Sequence, residues 1–379
     1  MPLKNHSRNR CLFVILAAFA CVQGRPSFTR ADEPAPKDLA RIVDKGMDYL
    51  RLKGQAEDGS FTKRAGPGVT SLVATAALRN GRTPRDPVVA KSLKNLETFV
   101  QPDGGIYAPN SRVPNYETCL SIVCFQAANG DGRYDEVVKK ADAYIKGLQK
   151  DSDEGKDESD PAFGGAGYGK QGRPDLSNTH FLIEALRAAG NGPEDESMKK
   201  ALIFVSRCQN LESEHNATPF PAKNPDGGFY YTPVGEGSSP AGNTANGGLR
   251  SYGAMTYAGL KSMVFAGVGP DDPRVKAAVE WARKHYTLTE NPGLGEAGLY
   301  YYYHLFAKAL DAIGEDEFVD ADGARHDWRQ ELVAELGRRQ QPDGSWINTD
   351  SRWLEGDPNL CTGFALLALS YCRPKEASK

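Results

Sequence analysis

The stretch RRQQPDGSWINTDSRWLEGDPNLCTGFALLALSYC, residues 338–372, sets a glutamine, an Asp-Gly turn and a tryptophan between two helical patterns. Related phrases stand at 55–61 (QAEDGSF), 99–110 (FVQPDGGIYAPN) and 223–233 (KNPDGGFYYTP). The segments after the turns align on a threonine, with a small-plus-apolar pair six and seven residues later: Thr70, Thr118, Thr179, Thr256 and Thr362. A sixth copy, YYHLFAKAL, places Tyr303 at that position. Each copy spaces its apolar residues as a helix does, and three of them stop at Gly190, Gly267 and Gly314. A second helix with interleaved charges precedes each turn, at about 37–53, 85–100, 134–149, 195–208, 272–286 and 327–340.

Twelve helices in six ordered pairs predict an all-α chain, an (α/α)6 toroid of six helical hairpins with one helix of each pair inside and one outside. Closure lets every pair bury its apolar faces against two neighbours. In the turns, glycine supplies the positive φ that reverses the chain. The glutamine is expected to bond backbone groups at the end of its own outer helix. Phe61, Tyr107, Phe229 and Trp346 are expected to cover the junction with the next pair.

Composition bounds the partners. The 379 residues are 40% hydrophobic and 25% charged with net charge −3, so no basic stripe invites nucleic acid. Lys4, His6, Arg8 and Arg10 precede an apolar run of twelve, Cys11 to Val22, which is short for a membrane span and suits a signal peptide. The reading is a signal peptide over 1–31, cut after Ala20 or Ala31, then one toroid domain over 32–379. The expectation is a protein exported to the periplasm or outside, with lipidation at Cys21 as the lesser alternative. No later segment is apolar enough to cross a membrane. Cys119, Cys124, Cys208, Cys361 and Cys372 lack paired spacing and read as small buried hydrophobes.

QPDGSW at 341–346, with weaker copies at 55–61 and 101–107, resembles the Gln-Trp repeat of squalene–hopene cyclases. The pattern of helical pairs over 37–372 is similar to the toroid those cyclases share with protein prenyltransferase β-subunits. Two departures from the cyclases matter. Bacterial hopene cyclases carry two barrels, and this chain has length for one, which speaks against a full triterpene cyclase. Their proton donor is an Asp-x-Asp-Asp-Thr motif, since alkene protonation needs a strong, preorganised carboxylic acid. The matching stretch is RPDLSNTHF, 173–181, where Asp175 and Thr179 are kept but Ser177 and Asn178 replace the acid pair. A hydroxyl does not protonate an isolated alkene. The prenyltransferase zinc set, Asp-x-Cys with a distant His, is also missing. Glu117-Thr118-Cys119 is the nearest approach, so neither a metal nor another cofactor is expected.

The resemblance implies that the position two before each aligned threonine faces the cavity, and helical periodicity adds positions one and five after it. The first set after the threonine is Ser71, Cys119, His180, Tyr257, His304 and Gly363; the second is Thr75, Val123, Glu184, Lys261, Lys308 and Leu367. Half the ring is thus small or apolar, and half carries His, Tyr and His above Glu, Lys and Lys. Asp175, His180, Glu184 and His304 are the candidate catalytic residues, and the two histidines are spaced to flank a ligand or share a metal with Glu184. Tyr116, Cys119, Tyr257, Lys261, Tyr301 and Lys308 are candidate ligand-binding residues. The plainer alternative is an ion-paired structural layer. The stretch 211–250, rich in Gly, Asn, Pro and Tyr, reads as a lid. The expected partner is a small-molecule or lipid ligand, an isoprenoid or other amphiphile. The alternatives are an enzyme of the cyclase and prenyltransferase superfamily using a different acid, or a protein-binding scaffold. No carboxylate pair suits glycoside hydrolysis.

Overall fold

Twelve helices of a computed structural model, which describes residues 36–373, alternate between an outer and an inner layer. The expected signal peptide and Cys21 lie outside the described residues. The outer helices are α1 (Pro36–Tyr49), α3 (Pro87–Glu97), α5 (Asp135–Lys146), α7 (Glu196–Arg207), α9 (Pro273–Lys284) and α11 (Trp328–Arg339). The inner helices are α2 (Pro67–Arg79), α4 (Pro114–Ala127), α6 (Leu176–Ala188), α8 (Gly253–Phe265), α10 (Leu299–Ile313) and α12 (Pro358–Ser370). Each inner helix packs on the next, and α12 packs back on α2, so the ring is closed. Its starts are set locally: Asp86, Asp195, Asp272 and Asp357 cap helices from their side chains, and proline occupies the first turn of α3, α9 and α12.

The threonines explain why the turn phrase and the inner helix occur together. The backbone N–H of Phe61, Ile106, Ala166, Phe229 and Trp346 donates to the hydroxyl of Thr70, Thr118, Thr179, Thr256 and Thr362, at 2.9–3.1 Å. Each bond ties a turn to the helix it feeds. In the fifth repeat along the chain, the copy without the threonine, the Tyr303 hydroxyl donates instead to the Leu288 carbonyl, 2.6 Å away. This register corrects the aromatic series by one residue. Ile106, fully buried, occupies the junction position, while Tyr107 lies half-buried and stacks on Tyr144.

The glutamine reaches further than expected. Gln55, Gln149, Gln209 and Gln340 each donate from Nε2 to the turn glycine's carbonyl and to a carbonyl of the next outer helix, on Val88, Ser197, Arg274 and Ile42. The last bond joins repeat six to repeat one and closes the ring. Gln101 and Gln341, by contrast, bond only near their own turns. Gln340→Met should therefore cost about 1 kcal/mol. Gln341→Met should stay within about 0.5 kcal/mol; urea unfolding of the two variants reads the difference. The glycine beside this bond is also fixed by approach. Gly344 sits at φ +92, and a Cβ there would stand 2.2 Å from the Lys45 carbonyl of α1.

The stretch 211–250 is packed onto the ring. Phe220, Tyr230 and Leu249 form its own small core, and Leu176 N–H donates to the Tyr231 carbonyl at 2.8 Å, which pins the stretch to the start of α6. The five cysteines among the described residues are buried and free, as their spacing implied. Among the described residues no helix is long and apolar enough to cross a membrane.

Candidate functional site

The inner helices run parallel, so their N-termini form one mouth of the ring and their C-termini the other. At the N-terminal mouth Tyr116, Ser177 and Tyr301 are half-buried. A continuous hydrogen-bonded chain descends from there. Ser177 Oγ lies 3.2 Å from the Tyr301 hydroxyl, which is in short contact with His180 Nε2. His180 Nδ1 is 3.0 Å from the Lys261 ammonium. Lys261 and Lys308 each grip one carboxylate oxygen of Glu184 in short ion pairs. An ammonium only donates, so His180 Nδ1 accepts, and Nε2 carries the ring proton toward Tyr301.

His180, Glu184, Lys261, His304 and Lys308 thus come from three consecutive inner helices onto one axis, each less than a tenth exposed. Burial, helped by Lys261 and Lys308, keeps both imidazoles neutral, with pKa values well below the usual histidine range. Burial alone would raise the Glu184 carboxyl, but the two ammoniums overcome it and hold it well below the ordinary value. Burial lowers Lys261 and Lys308 to about 8, against the pull of Glu184. His304 stacks near Phe364, and its Nδ1 has no hydrogen-bond partner among the described residues.

The remaining candidates sit elsewhere. Asp175 caps α6, accepting from Asn178 N at 2.8 Å and from the Asn178 amide at 2.9 Å, and burial raises its carboxyl to about 6. Tyr116 meets Phe181 edge-on. Cys119 is fully buried with its thiol on Asn115, and Tyr257 is wedged against Tyr302 and Phe306 between α8 and α10. Of the four tyrosines at 300–303 only Tyr301 joins the axial chain; the other three hydroxyls bond backbone carbonyls of the loops. Both oxygens of Glu184 face lysines, and among the described residues no set of three His, Cys, Asp or Glu is placed to hold a metal ion.

Two residues escaped the sequence reading. Glu355, in the loop before α12, accepts from Tyr300 N, Tyr301 N and the Asn348 amide, capping α10 of the neighbouring repeat; burial raises it to about 7. Arg79, at the end of α2, reaches the axial void. That void, about 20 Å³, is lined by the apolar Leu72, Leu120, Val123, Phe181 and Leu367 and by the polar Thr75, Arg79, Glu184, His304 and Lys308. It has room for one water.

The neutral histidines give a pH signature. Below pH 6.5 the unfolded chain binds protons at these positions that the folded chain refuses, so stability falls with pH. The slope is about 1.4 kcal/mol per pH unit for each histidine. His304→Leu removes one such group and an unpartnered nitrogen. Its stability relative to wild type should rise by about that slope as pH falls below 6.5. Asp175 and Glu355 titrate in both proteins and cancel in the difference. Urea midpoints at pH 7 and 5 provide the comparison.

No family model matches the chain, and no curated protein matches it by sequence. Solved structures do. One is a variant of the type II terpene cyclase MstE from Scytonema in complex with geranylgeranyl dihydroxybenzoate, its substrate: identity 12%, TM-score 0.54, covering 89% of this chain and 97% of that one. A second is a glycosyl hydrolase family 88 protein from Bacteroides vulgatus, at 10% identity, TM-score 0.54, and 88% and 98% coverage. A third is a family 76 glycoside hydrolase from a bovine Bacteroides thetaiotaomicron strain, at 13% identity, TM-score 0.53, and 89% and 78% coverage. At such identities the likeness shows the fold, an all-α toroid, and leaves the chemistry to the site.

Proposed function

We propose that the chain is an exported toroid that binds an amphiphilic small molecule on its axis and does not start a cyclisation by protonating an alkene. The observation that carries the reading is the mixed lining of the void: leucine, valine and phenylalanine together with a buried carboxylate, ammonium and imidazole. A buried ion cluster is weak support for stability, and perturbed buried groups lining a cavity mark a candidate site. Ser177 and Asn178, where cyclases place their acid, support the second half. The void has room for a single water, so an isoprenoid chain requires Phe181 and its apolar neighbours to part. A ligand entering polar end first needs less rearrangement.

One observation favours a second reading, an enzyme of this fold with a different acid. Asp175 and Glu355, near the N-terminal mouth, are buried carboxyls raised to about 6 and about 7, so each can hold a proton near neutrality.

Native mass spectrometry of the exported protein, exposed to its host's lipid extract, separates these. The expected result is a bound small molecule in wild type that is missing from His180→Leu/Glu184→Leu, and an N-terminus beginning after residue 20 or 31. An empty wild type removes the binding reading. Conversion of the bound molecule that stops in Asp175→Asn replaces it with the enzyme.

A further inference from the structure

The C-terminal mouth of the ring carries more positive charge than its carboxylates answer. Inside it, one anion, Glu184, faces two ammoniums, Lys261 and Lys308. At the rim stand two exposed guanidiniums, Arg79 and Arg187. Arg79 donates to the Tyr371 hydroxyl at 2.6 Å, and Arg187 lies over the Phe265 ring at 4.0 Å. Among the described residues neither arginine has a carboxylate within ion-pair distance. The nearby Asp311 is committed to Arg329 at 3.2 Å. The negative ends of the inner-helix dipoles account for a cation at each rim position. They do not account for a second ammonium placed inside with no second anion, where an unneutralised charge is costly.

The acceptor-less side of the cluster is also incomplete in hydrogen bonding. His304 lines the same void, is 4% exposed, and among the described residues leaves Nδ1 without a hydrogen-bond partner. Buried polar atoms are nearly always satisfied by protein or by what occupies the site. An oxyanion at this mouth would give Lys308 a second acceptor and bring Arg79 and Arg187 the fork geometry they bind best. A protonated oxygen on the same group would donate to His304.

From this juxtaposition we infer that the C-terminal mouth is an anion subsite, formed by Lys308, Arg79, Arg187 and His304, for the phosphate- or carboxylate-bearing end of the axial ligand. The inference rests on the axial-ligand reading and names the end of the molecule that reading left open. The apolar residues of the void include Leu72, two turns before Arg79 on α2, with Leu120, Val123 and Leu367, where a hydrocarbon tail would follow the anion.

The test uses three probes on the full mature chain: inorganic phosphate, dodecyl phosphate and dodecanol, with dissociation constants read by calorimetry. Arg79→Gln/Arg187→Gln changes only exposed rim residues and should leave folding intact; Lys308→Met is the interior variant. The expected result is dodecyl phosphate binding at least tenfold tighter than dodecanol, weakened at least tenfold in the rim double variant and further in Lys308→Met. Tighter binding of dodecyl phosphate than of inorganic phosphate assigns a lipid headgroup; equal binding assigns a free anion, and both outcomes uphold the subsite. If dodecanol binds as tightly as dodecyl phosphate, or the rim variant binds unchanged, the anion subsite is overturned while the axial site stands. If no probe binds, both are overturned.

Discussion

Replacing Glu184 by glutamine should destabilise the protein by about 3–5 kcal/mol at pH 7, because it leaves two buried ammoniums facing a neutral amide. The sign of its pH dependence distinguishes this cause from a packing defect. Lys261 and Lys308 are already lowered to about 8 in the folded state, with Glu184 opposing the fall. Removing that carboxylate lowers them further. The unfolded chain keeps its lysine protons up to about pH 10.4, so above the folded pKa it binds more protons than the native state, and stability rises with pH. The variant should regain much of its loss between pH 7 and 9. A loss below about 1 kcal/mol at pH 7, or no recovery at pH 9, would mean that the ammoniums find another partner or stand in water.

Trp346→Ala is the second large effect, again about 3–5 kcal/mol, and for a different reason. The indole is fully buried where repeat six meets repeat one. Its N–H donates to the Leu336 carbonyl at 2.8 Å, and its ring fills the space left by Gly46 of α1, where a Cβ would come within 2.9 Å of it. Truncation opens a cavity at the seam and strands a carbonyl. Tyr107→Ala, at the position one past the true junction residue, should cost under about 1 kcal/mol, as a half-buried surface aromatic does. Equal losses for the two would restore the aromatic series that the hydrogen-bond register overturned.

What the residues disclosed on their own divides along a physical line. Interactions within a repeat leave a period in the sequence, so the turn phrase, the threonine and the helix that follows it were readable together. The convergence of Glu184, Lys261 and Lys308 followed from the same period, because equal positions on neighbouring inner helices face one axis. Interactions between repeats leave no such trace. Gln340 bonds Ile42 across 298 positions, and Glu355 caps a helix begun 56 residues earlier. Neither partner choice is encoded near the residue that makes it. The aromatic misreading has a similar source: Ile106 and Tyr107 differ by one position, and only the backbone bond to Thr118 shows which of them turns inward. Function was less legible still, since a missing acid excludes one chemistry without naming another.

The most direct measurement is the urea unfolding free energy of Glu184→Leu/Lys261→Met/Lys308→Met. If the cluster exists for a ligand, exchanging all three charges for apolar groups of similar size should leave stability equal to wild type or higher by about 1–4 kcal/mol. A loss as large as that of Glu184→Gln alone would show that the charges hold the ring together, and the axial site would be structure and not function.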